Sequence, residues 1–436
     1  MSTTADAIHA RIAPLQEQLQ AYPGLWEMFQ RCFMNTIETT VQQSPGDTFV
    51  ITGDIPAMWL RDSTAQVLHY LRFADEKPVA EMIEGLIARQ AECILRDAYA
   101  NAFNREPSAY KPFDDFPRAS DWVWERKYEI DSLCYPVWLA EKYIDRTGST
   151  AILTERFAMA LRRVVEVLRC EQRHEDSDYR FIRTDCPPSD TLTHEGRGEP
   201  VAYTGMTWSG FRPSDDACQY GYLVPSNLFA VRVLRGAEKL AKLLNDDALA
   251  AEAAALGREI AAGVEAFAKV NDPLFGEIYA YEVDGLGHAN LMDDANVPSL
   301  LALPYLEVCD RNDPLYLRTR AFALSHRNPY YREGALARGV GSPHTPEGYI
   351  WPIALCVQAM TSSDDAEVAA ILRMLMTTHA GTGFMHESFD PDAPEKFTRP
   401  WFAWANSMFG EMLVRLYEEG RLAEVIRLAM MNKESI

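Results

Sequence analysis

The sequence predicts an all-α fold, a double-layered (α/α)6 barrel built as a single domain over residues 1–436, on three observations. Apolar residues recur at helical spacing almost throughout the chain. The helices so marked fall into six pairs joined by short connections, which makes the two members of a pair antiparallel neighbours. The segments between pairs are long, and long connections are uncommon unless they carry function.

An N-terminal helix is expected at about 23–41. The pairs follow as 63–73 with 78–102, 130–147 with 150–170, 225–243 with 246–269, 297–307 with 313–325, 348–361 with 363–379, and 402–418 with 420–430. In "KPVAEMIEGLIARQAECIL" one face collects Val79, Met82, Ile83, Leu86, Ile87 and Ile94. In "ERFAMALRRVVEVL" Phe157, Leu161, Val164, Val165 and Leu168 do the same. Short links such as "TGST" and "NDD" close the pairs. "EIYAYEV" at 277–283 is the best strand-like run and reads as a small hairpin. If paired helices run up and down, the segments 42–62, 103–129, 171–224, 270–296, 326–347 and 380–401 all emerge on one face, around the central hole of a toroid. No internal repeat and no Pro/Gly/Ser-rich linker divides the chain.

With 47% hydrophobic and 24% charged residues, the composition is that of a chain able to bury a core. The net charge of −21 speaks against nucleic acid or an anionic membrane surface as partner, because both reward clustered Lys and Arg. No stretch approaches the roughly 18 apolar residues of a membrane span. "MSTTADAIHARIAPL" has neither the basic start nor the apolar run of a secretory signal, so a cytoplasmic location is expected. The eight cysteines stand singly, without CxxC or zinc spacing, and read as reduced thiols. The dispersed DD pairs nominate no metal cluster, and no cofactor is implied.

The long connections hold the unusual residue combinations: "TGDIPAMWLRDS" in the first, "DDFPRASDWVWERKYEIDS" in the second, "TGMTWSGFRPSDDACQYGY" in the third, "GSPHTPEGYIWP" in the fifth and "GTGFMHESFDPDAPEKFTRPWFAWAN" in the sixth. Aromatics are mixed there with carboxylates, histidine and arginine. A sugar ring needs that mixture, because its C–H face packs on flat aromatics while its hydroxyls take directional, often bidentate, hydrogen bonds. Cleaving a glycosidic bond also requires two carboxyl groups. Asp215 or Asp216, with Glu387, are the candidate pair. Each has a structural reading too: "PSDDA" is a good helix start with Ser214 as N-cap and acids in the first turn. Asp62 is similarly either a cap or a ligand. His386 reads first as a satisfied buried histidine, and the tryptophans as core.

"TGDIPAMWLRDS", "YEIDSLCYP", "WSGFRPSDDA", "SPHTPEGYIWPIAL" and "GFMHESF" together closely resemble glycoside hydrolase family 125, the bacterial and fungal exo-α-1,6-mannosidases, in order from about residue 25 to 420. The resemblance implies an (α/α)6 barrel and metal-independent, inverting removal of terminal α-1,6-linked mannose from an oligosaccharide. It also implies that a carboxyl of the "RPSDDA" motif is the general acid, with Asp215 favoured over Asp216 by its spacing, and that Glu387 is the general base. Trp59, Arg61, Asp62, Trp208, Arg212, His344, Glu347 and His386 are the expected substrate-binding residues. Two other readings stay open, another inverting exo-glycosidase on the same toroid, such as an α-glucosidase or a trehalase-like enzyme, and a non-catalytic carbohydrate-binding or scaffold protein.

Overall fold

The structure is a computed structural model that describes residues 3–431. Among these, thirteen α-helices reach nine residues or more: α1 (Thr3–Ile12), α2 (Leu25–Asn35), α3 (Leu60–Leu68), α4 (Lys77–Arg96), α5 (Ile130–Thr147), α6 (Glu155–Cys170), α7 (Val224–Leu243), α8 (Asp247–Phe267), α9 (Pro314–Ala323), α10 (Pro352–Met360), α11 (Asp365–Thr377), α12 (Ala403–Glu418) and α13 (Leu422–Met431). Strands are two to four residues long and form small ribbons in the connections. Among the described residues no helix is long and apolar enough to cross a membrane.

Local chemistry sets the helix ends. Thr154, Asp246 and Asp313 cap α6, α8 and α9, each accepting a backbone N–H in the first turn, a contact that stabilises a helix by about 1 kcal/mol. α5 stops at Gly148, which takes the left-handed conformation that only glycine adopts without strain and donates its N–H to Ile144 O at 2.7 Å. Burial then selects faces. α3 packs against α5, α5 against α7, α10 against α12, and α12 back against α3. α4, α6, α8 and α11 pack behind them, and buried apolar residues from Ala5 to Ala429 form one connected core.

Besides α1, which forms ahead of the first expected helix, two segments depart from the sequence reading. No helix forms over 297–307, although Leu300, Leu301, Leu303 and Leu306 are buried as a helix there would bury them. Pro304 has no N–H for the ladder and disfavours helical geometry at the residue before it, while Asp293 takes the Leu300 and Leu301 N–H groups at 2.8 and 2.9 Å. The segment runs as successive turns instead, with Tyr305 3.1 Å from Glu411 of α12 and edge-on to Trp138 of α5. The hairpin expected at 277–283 is split: Gly276–Tyr279 pairs with Lys269–Asp272, whereas Glu282–Val283 lies between Tyr222–Leu223 and Ala289–Asn290.

The first and sixth connections are joined. Asp54 N donates to Trp401 O at 3.2 Å and Ala403 N to Thr52 O at 3.0 Å, and Gly53 pairs with Phe402. Gly53 has φ +133°, and a Cβ there would stand 2.4 Å from the Trp401 carbonyl oxygen, so only glycine fits this seam.

Candidate active site

The site is assembled from residues just before, or in the first turn of, α3, α5, α10 and α12. A cavity of about 190 Å³ is lined by Thr52, Ile55, Trp59, Arg61 and Asp62 from the first connection and the start of α3, and by Pro213, Ser214 and Asp215 from the third. Asn296, His344 and Trp351 add to it, and the sixth connection with the start of α12 supplies Glu387, Arg399, Phe402 and Trp404. Five of the six long connections therefore meet at one hollow, and the second, 103–129, reaches it through Glu129, which Arg61 holds.

"RPSDDA" is a tight turn rather than a helix start. Phe211 pairs with Ala217, Arg212 N donates to Asp216 O at 2.7 Å, and Asp215 N donates back to Arg212 O at 2.9 Å. This geometry puts Asp215 at φ +70°, a conformation more tolerable for Asp than for most residues and a form of strain that recurs at functional sites. The two neighbouring acids consequently point to different partners. Asp215 lines the cavity, whereas Asp216 holds the His344 ring, with Oδ1 3.3 Å from Nδ1, and accepts the Ser214 hydroxyl at 3.3 Å.

Arg61 organises the acidic floor. Its Nη1 donates to Glu129 at 2.6 Å and to Asp131 at 3.0 Å, its Nη2 donates to Asp215 at 3.2 Å, and its Nε lies 3.5 Å from Asp62. Asn101 Nδ2 bridges the same acids, 3.4 Å from Glu129 and 3.2 Å from Asp215. Asp62 and Asp131 also stand in the first turns of α3 and α5, where the helix dipole favours negative charge. Asp62 does not cap α3, because that helix already begins at Leu60.

Crowding separates the proton affinities of these carboxyls. Burial, aided by the charges of Asp215 and Asp131, raises Glu129 well above the usual carboxylate range despite Arg61. Burial pushes on Asp215 in the same direction, but Arg61, the hydrogen bond from Glu129, Lys127 and His344 outweigh it and hold Asp215 well below that range. The two carboxyls, bridged by Arg61 and Asn101, titrate as a pair. Burial likewise pushes Asp62 up to about 6.

Glu387 sits at the end of the ribbon formed by Ser388–Phe389 and Phe397–Thr398, its own N–H donating to Thr398 O at 3.3 Å. Arg399 faces it, with Nη1 3.5 Å from Glu387 Oε1, and is itself fixed by Asp54 at 2.5 and 3.0 Å, by Thr52 at 3.3 Å and by the face of Phe402.

Burial works against a charge on His344, but the hydrogen bond and charge of Asp216, with Glu387 and Asp215, outweigh it and push the imidazole up to about 9. His344 is therefore cationic through neutral pH. Its contribution to stability is fully present below the ordinary histidine value of about 6.5 and is lost as pH rises through about 9. The same loss is expected in activity. The alkaline limb of the kcat/KM profile should fall through about 9 in the native chain and be absent in His344→Gln; a limb unchanged by the substitution refutes the assignment.

Trp59, Arg61, Asp62, Asp215, His344 and Glu387 are brought together as the sequence reading placed them, while Asp216 supports the cavity from behind. Four expected substrate-binding residues do not line it. Trp208 is buried in the core, stacked 3.5 Å from His174, and packed so tightly that a Cβ on Gly221 would fall 2.1 Å from its ring. His386 is buried against Phe397 at 3.7 Å and bonded to Thr382, and Arg212 is held by Glu282 at 2.6 Å. Glu347 is a surface side chain, 94% exposed, beside Arg332. Sequence reasoning passed over Asn101, Glu129, Asp131, Arg399 and Trp404. Glu129 and Asp131 stand in "YEIDS" and Arg399 in "FTRPW", both within quoted segments, but only the fold shows that they converge on Arg61 and Glu387.

Residues 23–414 match the family of metal-independent α-mannosidases, glycoside hydrolase family 125. The meiotically up-regulated gene 157 protein of Schizosaccharomyces pombe (strain 972) is 39% identical over 438 residues, spanning 94% of this chain and 86% of that protein. A Streptococcus pneumoniae metal-independent α-mannosidase, solved in a non-productive complex with α-1,6-mannobiose, is 44% identical with a TM-score of 0.92, over 97% of this chain and 98% of that one. A bacterial glucoamylase solved with acarbose shares the fold alone, at 12% identity and a TM-score of 0.59 over 92% of this chain and 57% of that one.

Proposed function

The chain belongs to the metal-independent α-mannosidases of glycoside hydrolase family 125, and from that premise we propose that it is an exo-acting, inverting enzyme that releases terminal α-1,6-linked mannose from oligosaccharides. One observation carries the reading: Asp215 and Glu387, from connections far apart in sequence, line a single small cavity walled by Trp59, Trp351, Phe402 and Trp404. A hollow of that size suits one terminal sugar rather than the middle of a chain. The helix contacts around α3, α5, α7, α10 and α12, with the turns at 297–307 in the remaining inner position, fit an (α/α)6 toroid.

In this mechanism Asp215 is the general acid and Glu387 the general base. Asp215 gives a proton to the glycosidic oxygen as the bond to the anomeric carbon breaks. A water attacks that carbon from the opposite ring face and passes its own proton to Glu387. Glu129, whose proton affinity burial raises and which Arg61 and Asn101 bridge to Asp215, is placed to supply the proton that Asp215 passes on as the leaving oxygen gains charge. Arg399, 3.5 Å from Glu387, lines the cavity beside it. Asp62 and the cationic His344 are placed to hold sugar hydroxyls, as is Trp59, whose buried indole N–H has no protein acceptor. A cytoplasmic site of action belongs to the same reading, supported by eight scattered cysteines with Cys32, Cys93, Cys134 and Cys356 buried as thiols.

The test is direct. Incubated with α-1,6-mannobiose and, separately, isomaltose, the protein should release sugar from the first alone, and proton NMR should show β-mannose before any α anomer. Early α-mannose excludes inversion, and glucose from isomaltose in place of mannose points to the α-glucosidase alternative.

A further inference from the structure

A second cavity of about 420 Å³ lies against the catalytic one. The residues that matter along its wall are Tyr330, Arg332, Ser342, Thr345, Glu347 and Tyr349. The partition between the two hollows is the single segment 342–345. His344 lines the catalytic side, while Ser342, Pro343 and Thr345 line the other. That partition is fixed at three points. Thr345 Oγ1 accepts the indole N–H of Trp351 at 2.9 Å, and Asp216 holds His344. Ser342 Oγ donates to Asp294 at 3.1 Å, and the same Asp294 accepts the backbone and amide N–H groups of Asn296, itself in the catalytic wall.

The second cavity is equipped for a neutral polyol. Tyr330 and Tyr349 are half-buried rings, and Arg332 and Glu347 stand 3.8 Å apart at the rim, one positive and one negative. Arg332 is anchored through Nη1 to the carbonyls of Pro329 at 2.6 Å and Tyr331 at 3.0 Å, which leaves the Glu347 carboxylate in solvent. Flat rings beside a charge-balanced donor and acceptor pair match the C–H face and hydroxyl rim of a hexose. Asp216 of the "RPSDDA" turn holds His344 in the partition itself, which puts the second cavity beside that turn, the side that carries the acid and hence the leaving group.

We propose that this second cavity binds a neutral hexose of the same oligosaccharide on the leaving-group side, beyond the sugar joined directly to the scissile bond. The proposal rests on the oligosaccharide substrate read above. It makes the enzyme a length-sensing exo-hydrolase, in which Glu347 and Arg332 act on longer chains and not on the disaccharide.

The experiment compares kcat/KM for α-1,6-linked mannobiose, mannotriose and mannotetraose in the native chain, in Glu347→Ala and in Arg332→Ala. The native chain should favour a longer substrate over the disaccharide by roughly tenfold, the equivalent of about 1.4 kcal/mol. Both variants should lose most of that preference through KM, with mannobiose unaffected. Equal losses on all three substrates, or no length preference in the native chain, overturn the proposal. Calorimetric binding of mannotriose to Glu387→Gln, with and without Glu347→Ala, reads the second cavity without turnover. Weaker binding in the double variant supports the proposal even if the linkage reading fails, and a native chain that leaves mannobiose intact identifies that failure separately.

Discussion

Asp215→Asn is expected to lower kcat on α-1,6-mannobiose by about 10²–10⁴-fold, the usual range for losing a general acid. It should act far less on an aryl α-mannoside, whose phenolate departs without a proton. Asp216→Asn should behave differently, because Asp216 reaches the sugar only through His344: a modest loss on both substrates and an alkaline limb moved below about 9. Glu387→Gln should fail on both substrates alike, since neither leaving group removes the need to activate water. Steady-state kinetics on the two substrates separates the three variants. Survival of mannobiose turnover in Asp215→Asn with its collapse in Asp216→Asn would exchange their roles.

Arg61→Leu is expected to be the most destabilising substitution at the site. The guanidinium is buried and meets Asp62, Glu129, Asp131 and Asp215 at 2.6 to 3.5 Å, so its removal leaves a knot of acids without a cation at its centre. Breaking a buried ion network by deleting one partner costs about 3–5 kcal/mol. The pH dependence has a definite sign. Without Arg61 the folded-state proton affinities of these carboxyls rise above their unfolded values, so stability is retained at low pH and lost as pH rises through the raised values. Denaturant midpoints of native and Arg61→Leu chains should therefore differ most near neutrality and converge toward about pH 4. A pH-independent difference would mean that lost packing, not the acid knot, is responsible. Arg61→Lys should recover little, because a point charge on a flexible stem cannot match the planar fork that reaches Glu129 and Asp215 at once.

The helices were legible in the sequence because helical periodicity is local: the apolar stripe of Val79, Met82, Ile83 and Leu86 is written within a few turns, and α4 buries it. The segment 297–307 carried the same stripe, yet Pro304 and the side chain of Asp293 overrode it, and nothing in its periodicity reveals an acceptor several residues upstream. At the site, the acid motifs announced themselves by unusual composition. What composition does not encode is direction. Asp215 and Asp216 are adjacent and chemically identical, and only the turn at φ +70° sends one to the cavity and the other to His344. Trp208 and Trp59 both sit in motif-bearing loops, but a ring buried among glycines and a ring in a cavity wall differ only by what folds around them. Arg399 went unnoticed for the same reason, since it acquires meaning only through its pairing with Asp54, 345 residues away.

That pair carries a consequence for how the protein comes into being. The base is held by Arg399, Arg399 by Asp54, and the two loops by Gly53 against Phe402, so the catalytic hollow straddles the junction between early and late sequence. During synthesis, a chain emerging from the ribosome has its acid motif and most of its helices long before residue 399 appears, and remains without a positioned base until then. Such distant pairing is the slow kind of contact to form. Helical content on refolding should accordingly return ahead of turnover, and the last event in the birth of the enzyme is the fastening of its seam.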